Sequence, residues 1–226
     1  MIGFFRRDSH RLIDIEHCPI SSDEVNRALA ELRAQPYVRD GHYTLRASSG
    51  RRVFSQTNDA VADALHDLIN QVIPANQELL IDAYCGAGFF AKRLLDKFEQ
   101  VIGIDWDKFA IKAAKENATV KETYIAGDAD LELERMGSIA STFQREKTTL
   151  IVDPPATGLT AKTREAIVDL VPDTLVYVSC NPATLARDLS DLQQKFRIES
   201  VTPLDMFPQT AEIEVAVHLQ STSFAN

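Results

Sequence analysis

Apolar and polar positions change rhythm along the chain. Behind Ser21-Ser22-Asp23-Glu24, a helix-start stretch, Val25, Leu29 and Leu32 follow at helical spacing. Gly41–Arg46 alternates like a strand. It can pair with Arg52-Val53-Phe54 across Ser48-Ser49-Gly50, which predicts a hairpin. From Asp59 the pattern becomes regular. A helix runs to Val72, and Pro74 and Asn76 break it. Short apolar runs then alternate with helical stretches. The runs at 79–81, 101–104, 123–125, 150–152 and 175–178 read as strands; 109–117, 131–143, 162–170 and the stretch from Pro182 read as helices. Strands spaced by helices of this length predict βαβ units and a mostly parallel sheet. The end departs from this, because 197–201 and 213–217 are strand patterns with no helical pattern between them. An antiparallel C-terminal edge is expected. The fold class is therefore α/β, a doubly wound sheet over 59–226 with a small N-terminal appendage over 1–58.

Composition narrows the class. At 226 residues, 45% hydrophobic and 25% charged, the chain can bury one sizeable core. No apolar run reaches the length of a membrane span, so no membrane partner is expected. The opening Met1–Arg7 turns polar too soon for a secretory leader. Cys18, Cys85 and Cys180 are too far apart for a disulfide framework or a paired-cysteine metal knuckle. No metal is expected, a reducing cytoplasm fits, and a monomer is the expected state. The net charge of −9 argues against binding polyanions over the whole surface. It is unevenly spread. Residues 1–60 hold 9 Lys/Arg against 8 Asp/Glu, and the remainder 15 against 25. Arg6, Arg7, Arg11, Arg46, Arg51 and Arg52 make the first segment the place for nucleic acid to meet the chain, though solvated surface arginines explain the count equally well.

Ligands of an open parallel sheet lie beyond the carboxyl ends of its strands. Four such ends here carry small or polar residues. Asp82-Ala83-Tyr84-Cys85-Gly86-Ala87-Gly88 sets two glycines where backbone can approach a ligand. Asp105 is placed to accept from ribose hydroxyls, and Asp128, in Gly127-Asp128-Ala129, to bond an adenine amino group. Both positions also suit helix caps. Asp153-Pro154-Pro155 fixes a carboxylate and a carbonyl toward the cleft. Together the four ends have the layout of a Rossmann-like S-adenosylmethionine-dependent methyltransferase. A fifth strand tip carries Cys180, which Asn181 and Pro182 follow as cap and first residue of a helix.

The stretches FSQTN (54–58), DAYCGAGFF (82–90), VIGIDWD (101–107), DPPATG (153–158), SCNPATLARDL (179–189) and MFPQTAEIE (206–214) run in one order over nearly the whole chain. In that order they resemble the RNA (uracil-5-)-methyltransferase family, which forms 5-methyluridine in tRNA or rRNA. The resemblance implies S-adenosyl-L-methionine as cofactor and RNA as substrate. It makes Cys180 the nucleophile and Glu214 the general base. Gln56, Tyr84, Asp105, Asp128 and Asp153, with Gly86 and Gly88, become the cofactor-contacting set. Cys85 has no family role and reads as packing. The helix N-terminus beside Cys180 is expected to lower its thiol pKa.

The chain departs from the family pattern at several places. Ala156 stands where the family has Arg after Asp-Pro-Pro, Phe89 where it has Asn after the glycine turn, and Gln209 and Glu212 where it has histidines. Glu212 is expected to raise the pKa of Glu214. DIEHCPI (14–20) resembles the stretch holding the last cluster cysteine of members with an iron–sulfur cluster, but Cys18 alone cannot hold one. The family's N-terminal RNA-binding barrel has no counterpart here, so a shortened or compact member is expected. Two alternatives stay open: a methyltransferase acting on another acceptor, and a non-catalytic cofactor- or RNA-binding domain. Amine-methylating enzymes usually follow Pro-Pro with an aromatic residue, and Ala156 argues against them.

Overall fold

The structure is a computed structural model that describes residues 1–6, 9, 11–19, 21–41, 43, 45, 59–139, 144–206 and 212–224. The chain divides into two compact units, 1–52 and 53–226.

In the first unit, β1 (Gly3–Phe5) pairs antiparallel with β2 (Leu12–Asp14), and α1 (Asp23–Ala34) follows. Ser22 caps α1 by accepting from the Val25 amide. The Arg33 guanidinium forks onto Asp14, with Nη1 and Nη2 donating to its two oxygens at 2.8 and 3.0 Å. Nη1 also reaches the carbonyls of Ile2 and Ile15. These bonds and the Ile2 amide hold the Asp14 carboxyl down at about 2. The two strands of this unit are three residues each, too short for an alternating pattern to register. The hairpin predicted over 41–54 lies largely outside the described residues.

The second unit is built on one seven-stranded sheet. Its strands are β3 (Gln77–Ala83), β4 (Phe98–Asp105), β5 (Glu122–Ala126), β6 (Thr148–Val152), β7 (Thr174–Ser179), β8 (Phe196–Leu204) and β9 (Glu214–Ser221). They lie in the order β5-β4-β3-β6-β7-β9-β8. The first five of these positions are mutually parallel, whereas β9 runs antiparallel to both β7 and β8. The expected antiparallel edge is present, with the last strand inserted inside it. Every residue of β6 and β7 is buried, as central parallel strands require.

Helices cover both faces: α2 (Asp59–Val72), α3 (Phe89–Arg93), α4 (Lys108–Lys115), α5 (Ala129–Ile139), α6 (Ala161–Leu170) and α7 (Pro182–Leu192). Leu65, Ile69, Phe90, Leu94 and Ile111 bring α2, α3 and α4 onto one face, against Leu80, Val101 and Val176. Leu133, Ile167, Leu170 and Leu185 bring α5, α6 and α7 onto the other, against Ile81, Leu150 and Tyr177. Lys97 closes the end of α2, its Nζ donating to the carbonyls of Asn70 and Ile73. The chain leaves β3 toward β4 and β5, then returns to the other side of β3 as β6. That reversal opens a crevice beyond the carboxyl ends of β3 and β6, the place where such folds take ligands.

Candidate active site

The turn after β3 begins the site. Tyr84 has φ 66°, a left-handed conformation that a bulky residue holds only when its surroundings enforce it. Gly88 has φ 87°, and a Cβ built on it would stand 2.8 Å from the Tyr124 hydroxyl, so glycine is required there. On Gly86 a Cβ would meet nothing within 4 Å, which leaves the turn open on that side. Burial raises the Tyr84 phenol, while Thr163 at hydrogen-bonding range holds it down, so the hydroxyl faces α6. Cys85 is buried in the core, as its packing role requires.

Carboxylates line the strand ends beside this turn. Asp105, the last residue of β4, accepts from the Gly86 amide and the Asp107 amide, both at 2.8 Å. It therefore ties the end of β4 to the glycine turn rather than capping a helix, a task Asp107 performs for Phe109. Asp82 is fully buried on β3. One of its oxygens accepts from the Ala91 amide at 2.9 Å, in the first turn of α3, and the other has no partner. Burial pushes Asp82 up to about 7, opposed by the Ala91 amide and helped by Asp105. Asp153 follows β6 and is raised well above its usual value by burial, then by Glu214 and Asp82. Asp128, after β5, accepts from the Asp130 amide and lies near enough to Tyr84 to act on its phenol. Gln56 lies outside the described residues, as do residues 207–211 of the MFPQTAEIE stretch.

Cys180 and Glu214 come from strands of opposite direction. Ser179 of β7 pairs with Val215 of β9, so the next residue outward on each strand is Cys180 and Glu214. The backbone around the thiol is stapled. The Ser179 hydroxyl accepts from the Asn181 amide and donates to the Asn181 carbonyl. Asn181 caps α7, its side chain accepting from the amides of Ala183 and Thr184.

The electrostatics correct two expectations. The Cys180 thiol is pushed up, not down: burial leads, and the negative charges of Glu214, Asp153 and Glu212 add to it. Glu214 is pushed up to about 7, but the cause is burial rather than Glu212. Glu214 is buried at the first position of β9, whereas the charge of Glu212 falls on the thiol.

A consequence for stability follows from Asp82 and Glu214. Both carboxyls are raised in the folded state, so between about pH 4 and 7 the folded chain binds more protons than the unfolded one. Their contribution is most favourable at low pH and is lost as pH rises toward 7. Urea midpoints measured from pH 5 to pH 8 should fall less steeply in Asp82→Asn than in the parent chain. An unchanged slope would show that Asp82 ionises normally.

Sequence reasoning missed Asp82, whose oxygen reaches under the turn to α3, and the polar face of α7. A signal for the latter was available: Thr184, Arg187 and Asp188 follow Asn181 at helical spacing and so share one side of α7.

Residues 35–222 match the family model described as tRNA (Uracil-5-)-methyltransferase. An uncharacterized RNA methyltransferase of Listeria monocytogenes is 37% identical over 174 residues, covering 75% of this chain and 37% of the relative. One from Nanoarchaeum equitans is 35% identical over 174 residues, covering 75% of this chain and 36% of the relative. The chain thus spans less than half the length of the relatives it matches. Among solved structures, Pyrococcus abyssi tRNA (uracil-54, C5)-methyltransferase in complex with S-adenosyl-L-homocysteine aligns with a TM-score of 0.58 and 28% identity. That alignment covers 74% of this chain and 40% of that one. The N-methyltransferase NodS of Bradyrhizobium japonicum, also with S-adenosyl-L-homocysteine, aligns with a TM-score of 0.54 at 16% identity, covering 72% and 88%, a likeness of fold alone. The sheet, its reversal and its antiparallel edge are those of a Rossmann-like methyltransferase, and the chain belongs to the tRNA (uracil-5-)-methyltransferase family.

Proposed function

We propose that the chain methylates C5 of uridine in RNA, a tRNA or an rRNA, with S-adenosylmethionine as methyl donor and Cys180 as covalent catalyst. The observation that carries this reading is the placing of Cys180 and Glu214 as neighbours at the ends of β7 and β9, beside Asp153.

S-adenosylmethionine supplies an electrophilic methyl group on a cationic sulfur. The residues at the crevice fit it. Asp82, Asp105, Asp153 and Glu214 form a line of carboxylates suited to a cation, and Gly86 leaves open space beside the turn. Each oxygen of Asp105 keeps a lone pair after its backbone bond, free for a ribose hydroxyl. Tyr84, Gly86, Gly88, Asp105, Asp128 and Asp153 would hold the cofactor, and the family resemblance adds Gln56.

C5 of uracil is a weak nucleophile. Addition of the Cys180 sulfur to C6 sends an electron pair toward the C4 oxygen and makes C5 enolate-like. C5 would then take the methyl group as its bond to the sulfonium sulfur breaks, the electron pair staying on sulfur and S-adenosylhomocysteine leaving. The Glu214 carboxylate removes the C5 proton, the electron pair re-forms the C5–C6 double bond, and the thiolate leaves. C5–H has become C5–CH3, with one proton released. A base held at about 7 suits that proton transfer near neutrality. A cation entering beside the carboxylates offsets the charge that pushes the thiol up, so thiolate formation is coupled to cofactor binding.

The target base must leave its stack to reach this crevice. Residues 1–58, with their arginines, are the part that would hold RNA. With an acidic remainder, RNA affinity from this chain alone should be weak, and, carried by arginine–phosphate contacts, steeply salt-dependent. Three free cysteines suit a reducing cytoplasm. Among the described residues no helix is long and apolar enough to cross a membrane.

The test is covalent trapping. With labelled S-adenosylmethionine and RNA carrying 5-fluorouridine, C5 bears fluorine that no base can remove as a proton. The chain should form an adduct that survives denaturation, and Cys180→Ala should form none. Intact cofactor binding with no adduct on tRNA or rRNA transcripts would overturn the reading in favour of an accessory binding domain.

A further inference from the structure

The backbone ladder between β6 and β7 ends at the pair Val152↔Tyr177. Beyond it the two chains part, one to carry Asp153 on the cofactor side, the other to carry Cys180 on the base side. The reaction needs the methyl group and the thiol on a base held between them, so the width of this gap matters. No ladder bond sets it.

Side chains on one face of α7 grip the departing loop instead. Asn181 Nδ2 donates to the Ala156 carbonyl at 3.1 Å, and the Thr184 hydroxyl, 3.1 Å from the carbonyls of both Ala156 and Asn181, shares its one proton between them. Arg187 Nη2 donates to the carbonyls of Thr157 and Leu159, at 3.0 and 3.1 Å. Asp188 accepts from the Leu159 amide at 2.7 Å and, through its other oxygen, from Arg187 Nε at 2.8 Å. Gly158 lies under this grip with φ 73°, and a Cβ there would stand 2.5 Å from an Asp188 oxygen. Four backbone groups of the 156–159 turn are thus held by side chains that begin at the residue after the nucleophile and end about two turns further along α7.

We propose that Thr184 and Arg187 are positioning residues, forming a latch that fixes the distance between the Asp153 loop and Cys180. This rests on the covalent uridine reading above. Neither side chain need touch substrate. Each acts by holding the loop, and a displacement of about 1 Å at a reacting centre can cost about a hundredfold in rate. Thr184 is half-buried and Arg187 exposed, and without the Arg187 guanidinium the buried Asp188 keeps its ion pair with Arg164.

The experiment is single-turnover adduct formation on 5-fluorouridine RNA at low salt, with the rate constant and the amplitude recorded separately. Thr184→Val keeps the side chain's shape without the hydroxyl, and Thr184→Ser restores the hydroxyl. Arg187→Met keeps the stem without the donors. The expected result is a rate constant about tenfold lower in Thr184→Val and ten- to a hundredfold lower in Arg187→Met. Thr184→Ser should stay near the parent, and calorimetry with S-adenosylhomocysteine should show all three variants still binding the cofactor. A merely structural role would lower the amplitude, through an unfolded fraction, and leave the rate constant alone; that result would overturn the latch. Unchanged rate constants with a reactive parent would overturn it as well. A parent chain that forms no adduct would overturn the uridine reading and the latch with it.

Discussion

In Glu214→Gln, a methylated RNA–protein adduct builds up on ordinary uridine, and turnover falls by about 10²- to 10⁴-fold, the usual worth of a positioned general base. The amide fills the same buried place at the head of β9 without a charge that burial disfavours. It cannot accept the C5 proton. Cys180 can still add to C6 and C5 can still take the methyl group, so the block falls after methyl transfer. A denaturing gel with labelled methyl groups distinguishes the outcomes. The parent shows methylated RNA free of protein, and Glu214→Gln shows label moving with the protein. Retained turnover would mean that another group removes the proton. Loss of turnover with no adduct would mean that Glu214 is needed before the thiol adds.

The largest effect on stability is expected at Asp188. Its carboxylate is fully buried and accepts from Tyr177 Oη and the Leu159 amide, both at 2.7 Å, from Arg187 Nε at 2.8 Å and from Arg164 Nη1 at 3.1 Å. The last of these is largely buried too. Asp188→Ala leaves the largely buried Arg164 with Asp191 as its remaining ion partner, and a buried hydroxyl and amide without an acceptor. Removing one side of such an arrangement costs about 3 to 5 kcal/mol. Urea unfolding followed by circular dichroism should show that loss. Asp188→Asn, which keeps an acceptor oxygen, should lose less. A change within about 0.5 kcal/mol for Asp188→Ala, the size of an ordinary surface substitution, would show that the network carries little energy.

The parts of this fold legible in the sequence were those with a period. The runs at 79–81, 101–104, 123–125, 150–152 and 175–178 all fall inside observed strands, the central ones because buried parallel strands are continuously apolar, while β5 at the edge buries only Tyr124 of its run. The absence of a helical pattern between 197–201 and 213–217 correctly signalled an antiparallel pair. It did not say that the later strand would slide in beside β7, since neither pattern carries information on order. The candidate chemistry was legible where a residue type stands at a strand tip, as with Asp105 and Cys180. The electrostatics were not. Whether Cys180 answers to a helix terminus or to three carboxylates depends on which strands lie side by side, and Glu212, Glu214 and Asp153 converge only after folding. The α7 latch was hidden for a related reason: its targets are backbone groups of a turn about 30 residues earlier, and those leave no mark on composition.

The insertion of β9 between β7 and β8 sets an order of events during synthesis. A growing chain that has emerged through β8 already holds Cys180 and the carboxylates of β3, β4 and the β6 loop. It lacks Glu214, and β8 has no neighbour to pair with until β9 is made. One flank of β7, whose residues are all buried in the finished sheet, stays uncovered until then. The proposed nucleophile therefore exists before its proposed base does. The same eight residues that close the sheet also deliver Glu214, so a chain whose last strand has not docked has neither a finished core nor the full set of groups proposed for catalysis.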